Sequence, residues 1–336
     1  MTSTLRGSAE PLDTTYDVAL LDLDGTVYLA GAAIAGAPEA LRKAAAAGMR
    51  LAYVTNNAFR TPAAIAALLV GFGVPATPQD VVTSAQAAAR MLAERLPAGA
   101  PVLVVGGTGL RMALREHGLR PVSTAIERPQ AVVQGYSPDI TYSLLEEGGL
   151  AVAAGALFVA SNPDRTLPTR RGNQPGNGSF IQVIATATGQ QPLVAGKPEP
   201  PLQRESVLRT GAKHPIVVGD RLDTDIEGAN RVDLDSLLVL TGVTSPAEAI
   251  LAPAAQRPTY VAEDLAGLLE PHPAVASQDG TYRCGGWTVR RDGDQLDLAG
   301  AGDRTDGLRA LCAAAWAADG VSAESARSAA QRLDNA

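Results

Sequence analysis

A pair of acidic residues follows the first short apolar run of the sequence. Val18–Leu21 leads directly into Asp22 and Asp24, and Gly25 comes next. Residues two apart on an extended chain point in the same direction, so both carboxylates can face one crevice. Carboxylates placed in this way can bind a metal ion, attack as nucleophiles or transfer protons. Alone, however, an Asp-x-Asp pair is most often a solvated turn.

Three further polar features complement this pair. Thr55 and Asn56 end a second apolar run, and Lys197 lies in a Pro-rich loop. Asp220 ends a third apolar run, with Asp225 five residues further on. Separately, these residues are ordinarily helix caps, surface charges or turns. Together they supply carboxylates, a hydroxyl group and a cation, which is the chemistry of a metal-assisted phosphate site.

The composition argues against several other chemistries. The chain has 336 residues, with 28 Lys and Arg, 35 Asp and Glu, and a net charge of -7. A nucleic-acid binder normally presents a basic face, so we expect no nucleic-acid partner. Two Cys cannot form a disulfide framework or a four-thiolate zinc site, and three scattered His leave little room for a histidine metal cluster. Carboxylates are therefore the expected chemical tools.

No segment has the features of an export signal or a membrane span. The first 17 residues are polar, without the apolar core of a signal peptide. The longest apolar stretch, Leu150–Ala160, is about half the roughly 20 residues that a transmembrane helix needs. The sequence therefore predicts a cytoplasmic protein with no membrane partner.

Alternation of apolar runs with Ala-rich helical patterns predicts βα units and a parallel sheet. The carboxyl ends of parallel strands share one edge, where ligands bind in open α/β sheets. This arrangement would bring the polar residues of separate strands together. Strands are predicted at 18–21, 49–54, 102–105, 131–133, 157–160, 216–218 and 236–240, with helices at 37–48, 61–71, 140–147 and 180–188 and a turn-rich stretch at 170–178.

The end of the chain has a different pattern. Residues 271–280 are predicted to be a linker, and residues 287–298 a hairpin that turns at Asp292-Gly293-Asp294, since an Asp-Gly pair favours tight turns. A helix is predicted over 308–318. We expect this tail to be a separate module with a small core around Trp287 and Trp316.

The polar residues carry a resemblance to a known family. Asp22-x-Asp24-Gly25-Thr26, Thr55, Lys197 and Gly219-Asp220 resemble the four motifs of the haloacid dehalogenase superfamily. The similarity covers about residues 15–265 and leaves out the tail. Further segments resemble the NagD-like, para-nitrophenyl phosphatase branch of that superfamily, namely 134–142, 160–169, 175–180 and 195–201.

The resemblance implies a fold and a domain plan. It implies an α/β class, with a Rossmann-like doubly wound parallel sheet as the catalytic core, built from residues 1–85 and 189–270. Residues 86–188 would form an inserted α/β cap domain that covers the active site and sets specificity. Residues 275–336 would form the small C-terminal α+β module, whose role the resemblance does not assign.

The resemblance also implies a role for each motif residue. Asp22 would be the nucleophile that forms an aspartyl-phosphate, and Asp24 the general acid and base. Thr55 and Asn56 would bind a phosphoryl oxygen, and Lys197 would neutralise phosphate charge. Mg²⁺ is the implied cofactor, held by Asp22, the backbone carbonyl of Asp24 and Asp220, with Asp225 orienting Lys197 or a metal-bound water. Substrate contacts near the mouth of the cap are assigned to Asn162, Asp164 and Arg165.

These roles imply a Mg²⁺-dependent phosphatase acting on a small phosphomonoester, of which glycerol 3-phosphate and 2-phosphoglycolate are the preferred candidates. Pyridoxal phosphate is an alternative substrate. A non-catalytic nucleotide sensor, using the glycine turn Gly106–Gly109 and the tail, is an alternative of another class. The expected partner is a small-molecule phosphate, and the sequence is compatible with a homo-oligomer.

Overall fold

The structure is a computed structural model that describes residues 5–169, 171–318 and 320–335. The chain divides into two compact units, one formed by residues 1–51 and 212–336 and the other by residues 52–211. In the described part of the chain, no helix combines the length and apolar character needed to cross a membrane. The predicted division at residues 85, 189 and 270 stays a prediction.

Strands and helices alternate along most of the chain. The strands are β1 (Val18–Leu21), β2 (Tyr28–Leu29), β3 (Ala32–Ala33), β4 (Arg50–Thr55), β5 (Val81–Thr83), β6 (Pro101–Val105), β7 (Arg120–Val122), β8 (Ala131–Gln134), β9 (Leu157–Ala160), β10 (Thr166–Thr169), β11 (Gly172–Pro175), β12 (Leu193–Val194), β13 (Pro215–Gly219), β14 (Asp235–Val239), β15 (Tyr260–Ala262), β16 (Ala276–Gln278), β17 (Thr281–Cys284), β18 (Trp287–Asp292) and β19 (Gln295–Gly300).

The helices begin at Pro, Ser or Thr caps in several places, as helix N-termini commonly do. They are α1 (Leu12–Thr15), α2 (Ala37–Ala46), α3 (Pro62–Gly71), α4 (Ser84–Ala93), α5 (Thr108–Glu116), α6 (Tyr142–Ala153), α7 (Asn177–Thr188), α8 (Pro200–Thr210), α9 (Glu227–Asn230), α10 (Pro246–Ile250), α11 (Arg304–Trp316) and α12 (Ala323–Asp334). A single π turn, Leu222–Ile226, precedes α9.

In the first unit, β15, β14, β13 and β1 lie side by side in that order, and each neighbouring pair is parallel. All four residues of β1 and all five of β13 are buried, as expected for strands covered on both faces. The predicted strands at 18–21, 216–218 and 236–240 are confirmed. The connecting helices complete the α/β Rossmann-like class that the sequence predicts.

The C-terminal residues of the first unit form a four-stranded antiparallel sheet in the order β16-β17-β18-β19, followed by α11 and α12. The predicted hairpin and helix are confirmed. The linker prediction is wrong at Ala276–Gln278, because this exposed segment pairs with β17 and so becomes an edge strand. Its side chains gave no apolar signal to predict it.

The expectation that this tail has its own separate core is also wrong. Trp287 is buried in a cluster that it shares with apolar residues of the parallel-sheet region, and Trp316 packs against the same cluster. Residues on both sides of residue 270 therefore form one hydrophobic core. The members before residue 270 are Leu222, Ile226, Leu238, Ala249, Ile250, Ala252 and Val261.

The second unit contains the parallel pair β4 and β5 and a five-stranded sheet in the order β12-β9-β8-β6-β7. Neighbouring strands of the larger sheet are parallel. Three predicted helices lie in this unit. The helix predicted at 61–71 is confirmed as α3, and those predicted at 140–147 and 180–188 are present as the longer α6 and α7. The stretch predicted as turn-rich contains β11, which pairs with β10, while Arg170 lies outside the described residues.

Candidate active site

The ends of β1 and β13 place two carboxylates at one sheet edge. Asp22 follows β1 and Asp220 follows β13, and these parallel strands pair with Leu21 opposite Val218. The backbone N–H of Asp22 donates to the carbonyl of Val218 at 2.8 Å, so the pairing continues to the aspartate itself. The shared edge that the sequence predicts for these two residues is confirmed.

Three carboxylates converge at this edge. One oxygen from each of Asp22, Asp220 and Asp225 lies within 4.8 Å of the others. Asp220 and Asp225 are 0% and 1% exposed, respectively. Carboxylates this close repel one another, and a cation between them removes the repulsion. Their hard oxygen atoms fit Mg²⁺ or Ca²⁺ better than a soft metal.

Asp225 lies in the same carboxylate cluster as Asp22 and Asp220. It lies on the π turn Leu222–Ile226, and its Oδ2 accepts a hydrogen bond from the backbone N–H of Arg221 at 3.2 Å. Such π turns are frequent at functional sites because they redirect one side chain. Asp225 is therefore a candidate ligand, while its orienting role stays a prediction.

Two glycines leave space for the carboxylate of Asp220. A Cβ atom at Gly25 or at Gly242 would collide with that carboxylate. Gly25 also has a φ of +92°, a left-handed conformation that residues with a side chain rarely adopt. Only glycine permits this close approach of the backbone on both sides of Asp220.

Backbone and hydroxyl groups fix the orientation of Asp220. Val243 donates its N–H to Oδ2 at 2.7 Å, and the Thr26 hydroxyl donates to Oδ1 at 3.4 Å. Thr244 donates its N–H to the carbonyl of Asp220 at 3.2 Å, while Thr241 donates its hydroxyl to the carbonyl of Gly25 at 2.6 Å. The loop 241–244 thus holds the aspartate and the turn after β1 together.

Asp24 differs from the converging carboxylates. More than a third of its surface is exposed, but the surrounding protein still removes enough water to raise the pKa of its carboxyl group. Burial disfavours the charged form of a carboxyl group. A raised pKa favours the protonated form, which a general acid must have before it can donate.

Thr55 ends β4, and Asn56 follows it in the second unit. Thr55 is 8% exposed, and its hydroxyl oxygen accepts a hydrogen bond from the N–H of Asn57 at 3.1 Å. A hydroxyl group that accepts one hydrogen bond still has its own hydrogen to donate. Thr55 can therefore donate to an anionic oxygen, as the resemblance implies.

The side chain of Asn56 binds the main chain of Lys197 on both sides. Its Oδ1 accepts from the N–H of Lys197 at 2.8 Å, and its Nδ2 donates to the carbonyl of Lys197 at 3.2 Å. Lys197 is 3% exposed, and its Nζ donates to the carbonyl of Val54 at 3.3 Å. Asn56 therefore positions the lysine, a role that its place in the sequence did not indicate.

The three predicted cap residues separate into two groups. Asn162 is buried and donates through Nδ2 to the carbonyl of Asn56 at 2.8 Å, and Asp164 accepts from Nδ2 of Asn56 at 3.2 Å. Both thus belong to the hydrogen-bond network around Lys197. The side chain of Arg165 is exposed, and its carbonyl accepts from the hydroxyl of Ser179 at 2.7 Å.

Sequence reasoning missed several members of these networks. Ser84 donates to the carbonyl of Asn56 at 2.7 Å, and Asn177 donates to the carbonyl of Asn162 at 2.7 Å. Val243 contributes through its backbone only. Ser84 follows β5, so its position at a strand end was a usable signal, whereas a backbone donor has no side-chain signature.

The glycine turn Gly106–Gly109 packs against protein. Gly107 lies against the ring of Phe59, and Gly109 donates its N–H to the carbonyl of Phe59 at 3.1 Å. A Cβ at Gly109 would collide with the carbonyl of Ala58. These glycines therefore allow residues 58–60 to approach the turn closely. Because protein already packs against this turn, a nucleotide site there is not indicated.

Family models match most of the chain. Residues 19–120 match haloacid dehalogenase-like hydrolase, and residues 194–268 match a second model of HAD-like hydrolases. Residues 284–336 match a GCN5-related N-acetyltransferase like domain. The first two matches contain the converging carboxylates and Lys197, and the third lies within the C-terminal sheet and helices.

Individual proteins match over similar lengths. A D-glycerol 3-phosphate phosphatase of Mycobacterium tuberculosis is 47% identical over 308 residues, covering 90% of this chain and 86% of the relative. A 5'-nucleotidase of Bacillus subtilis is 40% identical over 232 residues, covering 68% of this chain and 89% of the relative. The crystal structure of a glycerol phosphate phosphatase from M. tuberculosis in complex with magnesium has a TM-score of 0.88 at 44% identity. The match covers 96% of this chain and 99% of that chain.

Proposed function

Because the chain belongs to the haloacid dehalogenase-like hydrolase family, we propose that it is a Mg²⁺-dependent phosphatase of a small phosphomonoester. The convergence of Asp22, Asp220 and Asp225 within 4.8 Å at a sheet edge carries this proposal. The donor set fits Mg²⁺, which would neutralise phosphate charge when bound. Asp22 and Asp220 would hold it, with Asp225 and the backbone carbonyl of Asp24 as the further candidate ligands.

The chain's own residues can perform both halves of the reaction. In the first, a carboxylate oxygen of Asp22 bonds to phosphorus, the bond from phosphorus to the ester oxygen breaks, and Asp24 donates its proton to that oxygen. In the second, Asp24 takes a proton from a water molecule that attacks the phosphorus, and Asp22 is released as a carboxylate. Covalent catalysis of this kind replaces one difficult step with two easier ones.

Lys197 and Thr55 would stabilise the phosphoryl group during both steps. A fixed ammonium group and a hydroxyl donor lower the energy of charge on the transferring oxygens. The burial of Lys197 supports this role, as do the two hydrogen bonds between its main chain and the Asn56 side chain. We assign Lys197 and Thr55 to phosphate binding, and Asn162 and Asp164 to the network that supports them.

We propose glycerol 3-phosphate as the preferred substrate, with 2-phosphoglycolate as the next candidate. The 47% identity to a D-glycerol 3-phosphate phosphatase supports this choice. Pyridoxal phosphate and nucleoside monophosphates are the comparison substrates. Self-association into a homo-oligomer is compatible with this function.

A turnover panel tests the proposal. Phosphate release is measured from each of these substrates with and without Mg²⁺, for the native chain and for Asp22→Asn. We expect the largest kcat/KM for glycerol 3-phosphate, with release abolished by removal of Mg²⁺ or by the substitution. Another substrate with a larger kcat/KM would overturn the substrate assignment alone, whereas full activity in Asp22→Asn would overturn the mechanism.

A further inference from the structure

The C-terminal elements share a hydrophobic core with the region that holds Asp220. Leu222 and Ile226 flank Asp225 on its π turn, and both belong to the cluster that contains Trp287, Leu308 and other buried residues of the tail. The tail therefore packs against the segment that carries Asp225. This gives it a means to influence the site without contributing a ligand.

The start of α11 offers no open position for an anion. Helix N-termini attract anions because their first N–H groups have no partner within the helix. Here the carboxylate of Asp303 accepts from the N–H of Thr305 at 2.9 Å and from the N–H of Asp306 at 3.2 Å. These donors are satisfied by an acidic side chain, so a ligand site at this helix is not indicated.

Trp316 connects α11 to α10. Its indole Nε1 donates to the carbonyl of Ile250, the last residue of α10, at 3.1 Å. The guanidinium group of Arg257 lies 5.7 Å from the centre of the indole ring and donates to the carbonyl of Trp316 at 3.3 Å. Ile250 itself is 1% exposed. The end of α10 is therefore fixed by a residue of the tail.

The start of α10 leads directly to Asp220. Ser245 caps the helix. Its side chain accepts from the backbone N–H of Glu248, and the side chain of Glu248 accepts from the backbone N–H of Ser245. The two preceding residues, Val243 and Thr244, donate their N–H groups to the carboxylate and the carbonyl of Asp220. Displacement of this helix would therefore move the donors that orient Asp220.

We propose that the C-terminal module is a positioning element for the metal site, and that Trp316 acts through α10 and the loop 241–244 on Asp220. This inference rests on the proposed function, since it takes Asp220 as a metal ligand. Residues that orient a ligand are important for metal affinity even without touching the metal. The module would thus affect Mg²⁺ binding more than substrate binding.

Two tryptophan variants test the proposal. Trp316→Phe keeps an aromatic ring but removes the N–H donated to Ile250. Trp287→Phe is the matched control, because its indole donates at 2.8 Å to the carbonyl of Asp303, at the opposite end of α11. Mg²⁺ binding is measured by calorimetry on the full chain without substrate, and thermal unfolding is recorded for each variant.

We expect Trp316→Phe to weaken Mg²⁺ binding by about 2- to 30-fold, the range for coupling carried through packed elements. Trp287→Phe should lower the unfolding temperature with Mg²⁺ affinity unchanged. Unchanged affinity in Trp316→Phe, or an equal loss in both variants, would overturn the positioning role. If the native chain binds no Mg²⁺, the proposed function fails instead, and the two failures are thereby distinguished.

Discussion

Gly242→Ala is a small substitution whose effect follows from one collision. The added Cβ would overlap the carboxylate of Asp220, which also accepts the N–H of Val243. The φ of Gly242 is not in the left-handed region, so alanine can adopt the backbone conformation. The effect therefore comes from displacement of the carboxylate or of the loop, and not from backbone strain.

The magnitude follows from the role of that carboxylate. Disturbing the groups that orient a ligand typically costs about 10- to 100-fold in metal affinity. This corresponds to about 1.4–2.7 kcal/mol of binding free energy. Overpacking of a filled site typically costs a further ~1–3 kcal/mol of unfolding free energy. We thus expect Gly242→Ala to lose both Mg²⁺ affinity and stability.

The assay is a Mg²⁺ titration of phosphate release at saturating substrate, together with thermal unfolding. Gly149→Ala is the matched control, since Gly149 lies in α6 and an added Cβ there has nothing within 4 Å. Alanine in a helix interior is favoured over glycine by about 0.5–1 kcal/mol, so the control should be slightly stabilised. Unchanged Mg²⁺ half-saturation in Gly242→Ala would refute the assignment of Asp220 as an oriented ligand.

Four further outcomes follow from the site and the core. Asp24→Asn should lower kcat by about 10²–10⁴-fold with Mg²⁺ affinity retained, since general acid catalysis contributes that much; unchanged kcat would remove Asp24 from the proton transfer. Asn56→Ala should lower kcat/KM by about 10-fold, because loss of a buried hydrogen-bond partner costs about 1–3 kcal/mol. A change in thermal stability alone would show that the position of Lys197 does not depend on Asn56. Chelation of Mg²⁺ should lower the unfolding temperature, since a ligand at 100 times its Kd contributes about 2.7 kcal/mol; identical unfolding curves would contradict a metal site. Burial lowers the pKa of His272 to about 4, so its contribution to stability is complete above the unfolded pKa of about 6.5 and is lost as the pH falls to 4. His272→Gln should therefore make the unfolding temperature less dependent on pH over that interval. An unchanged pH dependence would contradict this origin.

The hydrogen bonds of His272 explain why its neutral form is preferred. Its Nδ1 lies 2.8 Å from Nη2 of Arg309, and its Nε2 lies 2.7 Å from the carbonyl of Gly267. Since a guanidinium group can only donate, Nδ1 accepts and the proton resides on Nε2. A second proton on Nδ1 would face a donor and a like charge. Asp306, which pairs with Arg309 at 2.7 Å, offsets part of this repulsion.

Side-chain chemistry at strand ends was predictable from the sequence. Asp22 and Asp220 each follow an apolar run, and a parallel sheet brings the ends of the neighbouring strands β1 and β13 to one edge. Motif residues could be identified from the sequence because their chemistry depends on the type of side chain. The strands β1 and β13 were predictable for the same reason, since buried parallel strands are continuous apolar runs.

Contributions through the backbone and through distant packing were not predictable. Val243 holds Asp220 with an N–H group that every residue except proline carries, so its side chain gives no signal. The π turn depends on local packing that a window of sequence does not specify. Likewise, residues 308–318 indicated a helix, but not that Leu222 and Ile226 would share its core.

The covalent step of the mechanism can be tested on the protein itself. The native chain is mixed with glycerol 3-phosphate and Mg²⁺, quenched in acid within the first turnover, and digested for peptide mass analysis. The peptide that contains Asp22 should gain the mass of one phosphoryl group, and this gain should be absent in Asp22→Asn, which should also release no phosphate. Steady phosphate release by Asp22→Asn would contradict the central claim that Asp22 is the nucleophile.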